Sequence, residues 1–234
     1  MKTLLAGIIL AAFATSAVAA EHPRTNWSGC YVGASAGGLW SDTSYKNGIV
    51  VGGVPQSIDT NPNGAVGGFQ IGCDYQMASN WLIGLQGDFT WTDASDRQTV
   101  FPPLSIETGI FKIDWFASLT GRLGYAFGPW LVYGRGGAAW AKTDVHDFGI
   151  FFIPTIDVQG DSTPAGWTLG AGLEYAFAPS WSVRVEYDYF DFGDDTFTLT
   201  GTATGGPTTM RASLKQSFSV VKFGINYHFW TGHI

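Results

Sequence analysis

The side chains best able to do chemistry are few and far apart. Of the histidines His22, His146, His228 and His233, only His146 stands between two acids, in "DVHD" with Asp144 and Asp147. One imidazole between two carboxylates is the minimum for an acid–base pair or a metal ligand. It is also ordinary content for a solvated loop. The sequence has no His-Glu-x-x-His and no phosphate loop. No catalytic, cofactor-binding or metal-binding residue is therefore expected, and the chain is not expected to be an enzyme. The two cysteines, Cys30 and Cys73, are candidates for a disulfide. The remaining chemistry is a set of charges, and its meaning depends on the elements that carry it.

Those elements alternate with period two, the mark of strands with one apolar and one polar face. Eight such segments stand out: 27–42, 64–77, 81–93, 110–127, 130–142, 165–178, 181–193 and 214–229. Three connections are very short: "ASN" before Trp81, "GP" before Trp130 and "PS" before Trp181. The other four, 43–63, 94–109, 143–164 and 194–213, are long. Short and long connections in alternation put all four long ones at one end of an antiparallel sheet. That is the layout of outer-membrane barrels.

Tryptophans mark both ends of these strands. Trp81, Trp130 and Trp181 follow the short turns, and Trp91 and Trp140 come ten residues after Trp81 and Trp130. Ten tilted residues rise about 25 Å, the height of a lipid-facing band, and indoles favour its two edges. Trp27 and Trp40 differ in parity, so one lies outside the regular strand or a bulge intervenes.

The apolar parity of the strands carries no charge between the belts. In the fourth segment it runs Phe111, Ile113, Trp115, Ala117, Leu119, Gly121, Leu123, Tyr125 and Phe127. The other parity carries Asp74, Asp88, Lys112, Asp114, Arg122, Arg135, Glu174, Arg184, Glu186, Asp188 and Lys222. A charge-free outside with charges inside means that the outer solvent is lipid. Eight strands enclose only enough room for side chains. Phe116, Tyr133, Phe190 and Phe192 also point inward. At mid-height Asp88, Asp114, Arg122, Arg135, Glu174, Arg184, Glu186 and Lys222 are expected to pair across the lumen and plug it. If the hairpin between the first two strands folds about the middle of its loop, facing residues sum to about 103, as Cys30 and Cys73 do. An oxidising compartment suits that bond.

Composition agrees. Charged residues are 13%, aromatics 15%, and 32 of the 234 residues are glycine, with a formal net charge of -7. No basic stripe exists, so nucleic acid is not an expected partner. Residues 1–20 read as a signal peptide, with Lys2, the apolar run 4–14 and the small residues 17–20. Residues 21–229 then form the barrel, and 230–234 a C-terminal tail.

"NWSGCYVGASAGG", "GGFQIGCDYQ", "GRLGYAFGPWLVYGRGGAAWA" and "GLEYAFAPSWSVRVEYDYFDFG" resemble the alphaproteobacterial outer-membrane β-barrel family, often labelled porin family or surface antigen. The resemblance covers nearly the whole mature chain and is weakest in the four long connections. It implies an all-β, eight-stranded antiparallel transmembrane barrel in the outer membrane of a Gram-negative cell. In "KFGINYHF", Lys222, Gly224, Tyr227 and Phe229 resemble the signal read by barrel-assembly machinery, followed here by "WTGHI". The expected role is structural or surface-interacting. Its partners would be outer-membrane lipids, the assembly machinery during biogenesis, and host or surface ligands at the long loops. A narrow diffusion channel and an outer-rim enzyme acting on lipid or peptide are the alternatives.

Overall fold

Alternating side chains need a surface that is greasy on one side only, and the chain builds one by closing a sheet on itself. The computed structural model describes residues 26–51, 54–100, 105–151, 155–203 and 206–231. The expected signal peptide, His22 and His233 lie outside them. The strands are β1 (Gly29–Val51), β2 (Val54–Thr60), β3 (Asn63–Gln76), β4 (Trp81–Thr92), β5 (Ser95–Val100) and β6 (Ser105–Phe127). They continue with β7 (Trp130–Phe151), β8 (Thr155–Ser162), β9 (Ala165–Ala178), β10 (Trp181–Ala203) and β11 (Gly206–Thr231).

Eight of these close the barrel. Going round, β1 pairs with β3, then come β4, β6, β7, β9, β10 and β11, and β11 pairs back with β1, every contact antiparallel. Closure leaves no free edge at that level, which is what a lipid surround demands.

The four long connections are not irregular loops. β1 and β2, β5 and β6, β7 and β8, and β10 and β11 continue as paired hairpins beyond the barrel. These segments were expected to be loops because Gly, Thr, Asp and Pro interrupt their alternation. Backbone pairing carried upward from the barrel ladders is enough to keep them extended.

The short turns carry a device repeated three times. Trp81 faces Tyr125, Trp130 faces Tyr175 and Trp181 faces Tyr227, each as register partners. Their ring centroids lie 5.6, 4.5 and 5.0 Å apart. Beside each pair, the carbonyl before the tryptophan accepts from the amide after the tyrosine: Ala126 to Asn80 (2.9 Å), Ala176 to Pro129 (2.9 Å) and His228 to Ser180 (2.8 Å). Aromatic pairs of this geometry add about 0.5–1.5 kcal/mol beyond area burial. Asn80 and Gly128 take the left-handed backbone that two of these turns need, at φ 65° and 63°.

Trp27 and Trp40 differ in parity because Trp27 precedes β1 and turns inward, where it is buried. The register shift at Cys30/Tyr31 puts its extra residue, Phe229, in β11 and leaves β1 continuous against β3. Trp40 faces outward.

The sealed lumen and the outer collar as candidate sites

The lumen is filled in three layers. At the short-turn end, Trp27, Leu82, Ala126, Leu131 and Tyr133 form an apolar cluster. At the level of the upper tryptophans a second apolar cluster includes Leu39, Ile113, Phe116, Phe190, Phe192 and Phe218. Phe190 and Phe218 stack at 4.9 Å, and Phe116 lies 5.1 and 5.2 Å from them. Between the two clusters lie the charges.

Arg135 is the hub of the charged layer. It reaches Asp88 (2.8 Å), Glu186 (2.9 Å) and Asp188 (3.3 Å). Lys222 meets Asp188 (2.9 Å) and Glu186 (3.1 Å), and Arg184 meets Glu186 (3.1 Å). Tyr133 donates its phenol proton to Glu186 at 2.7 Å. Nearer the short turns, Arg122 bridges Asp74 (3.2 Å) and Glu174 (3.1 Å), donates to the Tyr31 hydroxyl, and lies 4.0 Å over the Tyr133 ring. Glu174 also accepts from Ser182 and from Asn226 (2.7 Å), with His228 at 3.6 Å. Buried charges are tolerable only when paired and hydrogen-bonded in this way.

Seven of the eight expected network residues, Asp88, Arg122, Arg135, Glu174, Arg184, Glu186 and Lys222, are buried here. Asp114 is not, and this corrects the expectation. The β6–β7 register shifts between Ile113 and Trp115, and the inserted residue reverses the parity above it. Ile113 consequently turns into the lumen, whereas Lys112 and Asp114 pair at 2.6 Å on the rim. A bulge leaves no mark in alternation counted through it. Asp74 and Asp188 were read as inward but not as members of the mid-height set; both join it.

Sequence reading missed what makes room for these side chains. Gly72 is the register partner of Tyr31, Gly84 of Asp74, Gly170 of Asp188, Gly172 of Tyr133 and Gly224 of Arg184. In each pair the larger side chain lies over the glycine and occupies or crowds the place of a Cβ. The signal was available as inward-parity glycines opposite bulky inward residues. Reading it requires the register.

On the outside, Trp81, Trp91, Trp130, Trp140 and Trp181 are all exposed. Cys30 and Cys73 are register partners joined by a disulfide on the outward face. In the C-terminal strand, Lys222 belongs to the network, Gly224 to the Arg184 contact, Tyr227 to the Trp181 pair, and Phe229 faces outward. β11 runs on through Thr231, with Trp230 opposite Cys30.

Above the belt, His146 lies 2.9 Å from Asp157 on the neighbouring strand. An open cleft of about 580 Å³ lies beside it on the flank of the collar, with Lys112, Lys142, Asp144 and Gln159 in its lining. The hydrogen bond from Lys112 holds the Asp114 carboxyl below the usual range. Burial, and the bond shared with Asp114, push Asp144 up.

The family model described as "Outer membrane protein beta-barrel domain" matches residues 7–229. This chain belongs to that family. A "31 kDa outer-membrane immunogenic protein" of Brucella melitensis is 30% identical, over 98% of this chain and all of the relative. A "22 kDa outer membrane protein" of Rhizobium leguminosarum is 25% identical, over 85% of this chain and 90% of the relative. Among solved structures, the outer membrane protein OprG of Pseudomonas aeruginosa aligns with a TM-score of 0.54 at 14% identity, covering 87% of this chain and 98% of its own. The outer membrane protease OmpT of Escherichia coli aligns at 0.53 and 12%, covering 89% and 99%. At such identities these structures speak for the fold alone. The protein is an eight-stranded antiparallel barrel of the outer membrane, similar to alphaproteobacterial surface proteins.

Proposed function

We propose that this outer-membrane protein is a non-conducting, non-catalytic scaffold that holds four β-hairpins outside the membrane as a surface for contact. The observation that carries this reading is the three-layered filling of the lumen. A diffusion path needs a continuous wet passage. Here a charged layer, itself cross-linked by Arg135, Arg122 and Lys222, lies between two apolar clusters. The hairpins extend the barrel wall outward as paired backbone, so they present side chains at fixed spacing rather than as a mobile fringe. The rim groups best suited to chemistry are engaged in separate contacts, His146 with Asp157 and Ser162 with Asp195. Liposome swelling tests the reading. Vesicles loaded with the folded protein should admit small sugars no faster than empty ones. Uptake that scales with protein content would replace the scaffold by a channel.

A further inference from the structure

Above the upper belt the wall is not closed. Going round the collar, the ladders run β2–β1–β11–β10–β8–β7–β6–β5, each strand paired to the next. β2 and β5 are the two ends of that series. At the foot between them Asn63 of β3 pairs with Ser95, and the Asn61 amide donates to the Asp96 carboxylate at 3.1 Å. Above that rung no ladder joins β2 to β5 among the described residues. The collar is thus a sheet curled almost into a ring, with one seam.

Both lips of the seam are strand edges. All seven residues of β2 have register partners on β1, and all six of β5 have partners on β6. On its other side each strand turns alternate backbone N–H and C=O groups toward the seam. Native edges are often blunted by a proline or a bulge. β2 has both devices nearby: Pro55 stands opposite Val50, and the ladder with β1 shifts between Lys46 and Ile49. β5, "SDRQTV", has neither proline nor glycine, and beyond Arg97 it carries no charge. Its register with β6 runs unbroken from Ser95 and Lys112 to Val100 and Glu107. β5 is therefore the better template for another strand.

The charge around the seam favours a cation. The four segments beyond the upper belt, 41–64, 92–114, 141–165 and 190–217, hold thirteen Asp and Glu against six Lys and Arg. On the strands and connections that frame the seam, Asp42, Asp59, Asp93, Asp96 and Glu107 outnumber Lys46, Arg97 and Lys112. Of these bases Lys112 is held by Asp114. A rim of this sign draws in a positive partner and repels an acidic one.

We propose that the seam receives an extended, basic segment of a partner protein, added as a strand antiparallel to β5 along residues 96–100. Main-chain hydrogen bonds to the β5 edge supply the contact, and the acidic collar selects the charge. β2 descends toward the barrel and β5 rises from it, so such a strand lies parallel to β2. β5 gives it the slightly stronger, antiparallel ladder. This use of the seam rests on the reading of the hairpins as a contact surface.

The test is fluorescence anisotropy of a short labelled peptide, lysine alternating with valine and threonine, titrated with the full folded chain in zwitterionic nanodiscs. Two altered peptides run beside it. One is N-methylated along its backbone, which keeps the charge and removes every amide donor. The other has glutamate in place of lysine. The parent peptide should bind, and both altered peptides should bind about tenfold more weakly or worse. In the complex, amide exchange read by mass spectrometry should slow about tenfold in Ser95–Val100. It should not change in Thr155–Ser162, which lies between β7 and β10. Failure of the parent peptide to bind overturns the proposal. Equal binding by either altered peptide overturns it too, as does binding that leaves exchange in β5 unchanged. No flux is measured, so a failure here leaves the sealed lumen standing, and a conducting lumen would leave the seam as it is.

Discussion

The Tyr133 ring lies over Gly172, its register partner on β9, and occupies the place a side chain there would need. From that position the phenol reaches Glu186 and the ring lies 4.0 Å under the Arg122 guanidinium. A glycine on one strand thus sets the orientation of groups on three others.

Gly172→Leu should therefore displace Tyr133 and loosen the charged layer, at a cost of about 1–3 kcal/mol. Gly134→Leu provides the contrast. A Cβ there would meet only the Gly170 carbonyl at 3.8 Å, and the side chain points into lipid. Its effect should stay within about 0.5 kcal/mol. Urea titrations of refolding into lipid vesicles measure both, and equal costs at the two sites would contradict the facing.

Removing the hub should be more damaging than removing any rim charge. Arg135→Ala leaves Asp88, Glu186 and Asp188 short of a shared cation inside a dry layer. The cost should be about 3–5 kcal/mol, the scale for breaking a buried pair. Lys112→Ala breaks an exposed pair, and the same titration should register no shift. An Arg135→Ala barrel as stable as wild type would mean that the layer is wetter than its burial indicates.

The outward face should reject charge according to depth. Leu119 lies midway between Trp115 and Tyr125 on β6, and Leu119→Arg should cost about 2–4 kcal/mol. Tyr125→Arg, at the belt, should cost about 0–1 kcal/mol from position alone, plus the loss of the Trp81 contact. The same cost at both depths would leave no apolar slab between the belts.

Cys30 and Cys73 should come out of the mature protein as one linked peptide in a non-reduced digest. Reduction should scarcely move the unfolding midpoint, because the β1–β3 ladder already fixes those two residues opposite each other. Complete alkylation of both thiols without reductant would rule the bond out.

Much of this architecture is legible in the chain itself, for a definite reason. Lipid outside and a crowded lumen inside impose opposite demands on alternate residues, so parity alone sorts Leu119 from Arg122 and Tyr187 from Glu186. The cysteine register follows from the same regularity. Legibility ends where regularity does. The bulge between Ile113 and Trp115 turns Asp114 out to the rim, and nothing in a period-two count marks the extra residue. The upper segments are punctuated by glycine and proline, so a short alternation such as that of Ile156 and Val158 in Thr155–Ser162 does not stand out as a strand. The glycines opposite Tyr31, Asp74 and Tyr133 become meaningful only when strands are aligned, since each acts on a residue many positions away.

The most direct test of the sealed lumen is single-channel recording of the wild-type protein in a planar bilayer, with folding verified beforehand. Arg135, Lys222 and the stacked Phe190 and Phe218 close the lumen on this account. The predicted record shows no steady open level above the bare membrane. A stable conductance on the scale of a wide, water-filled pore would contradict it.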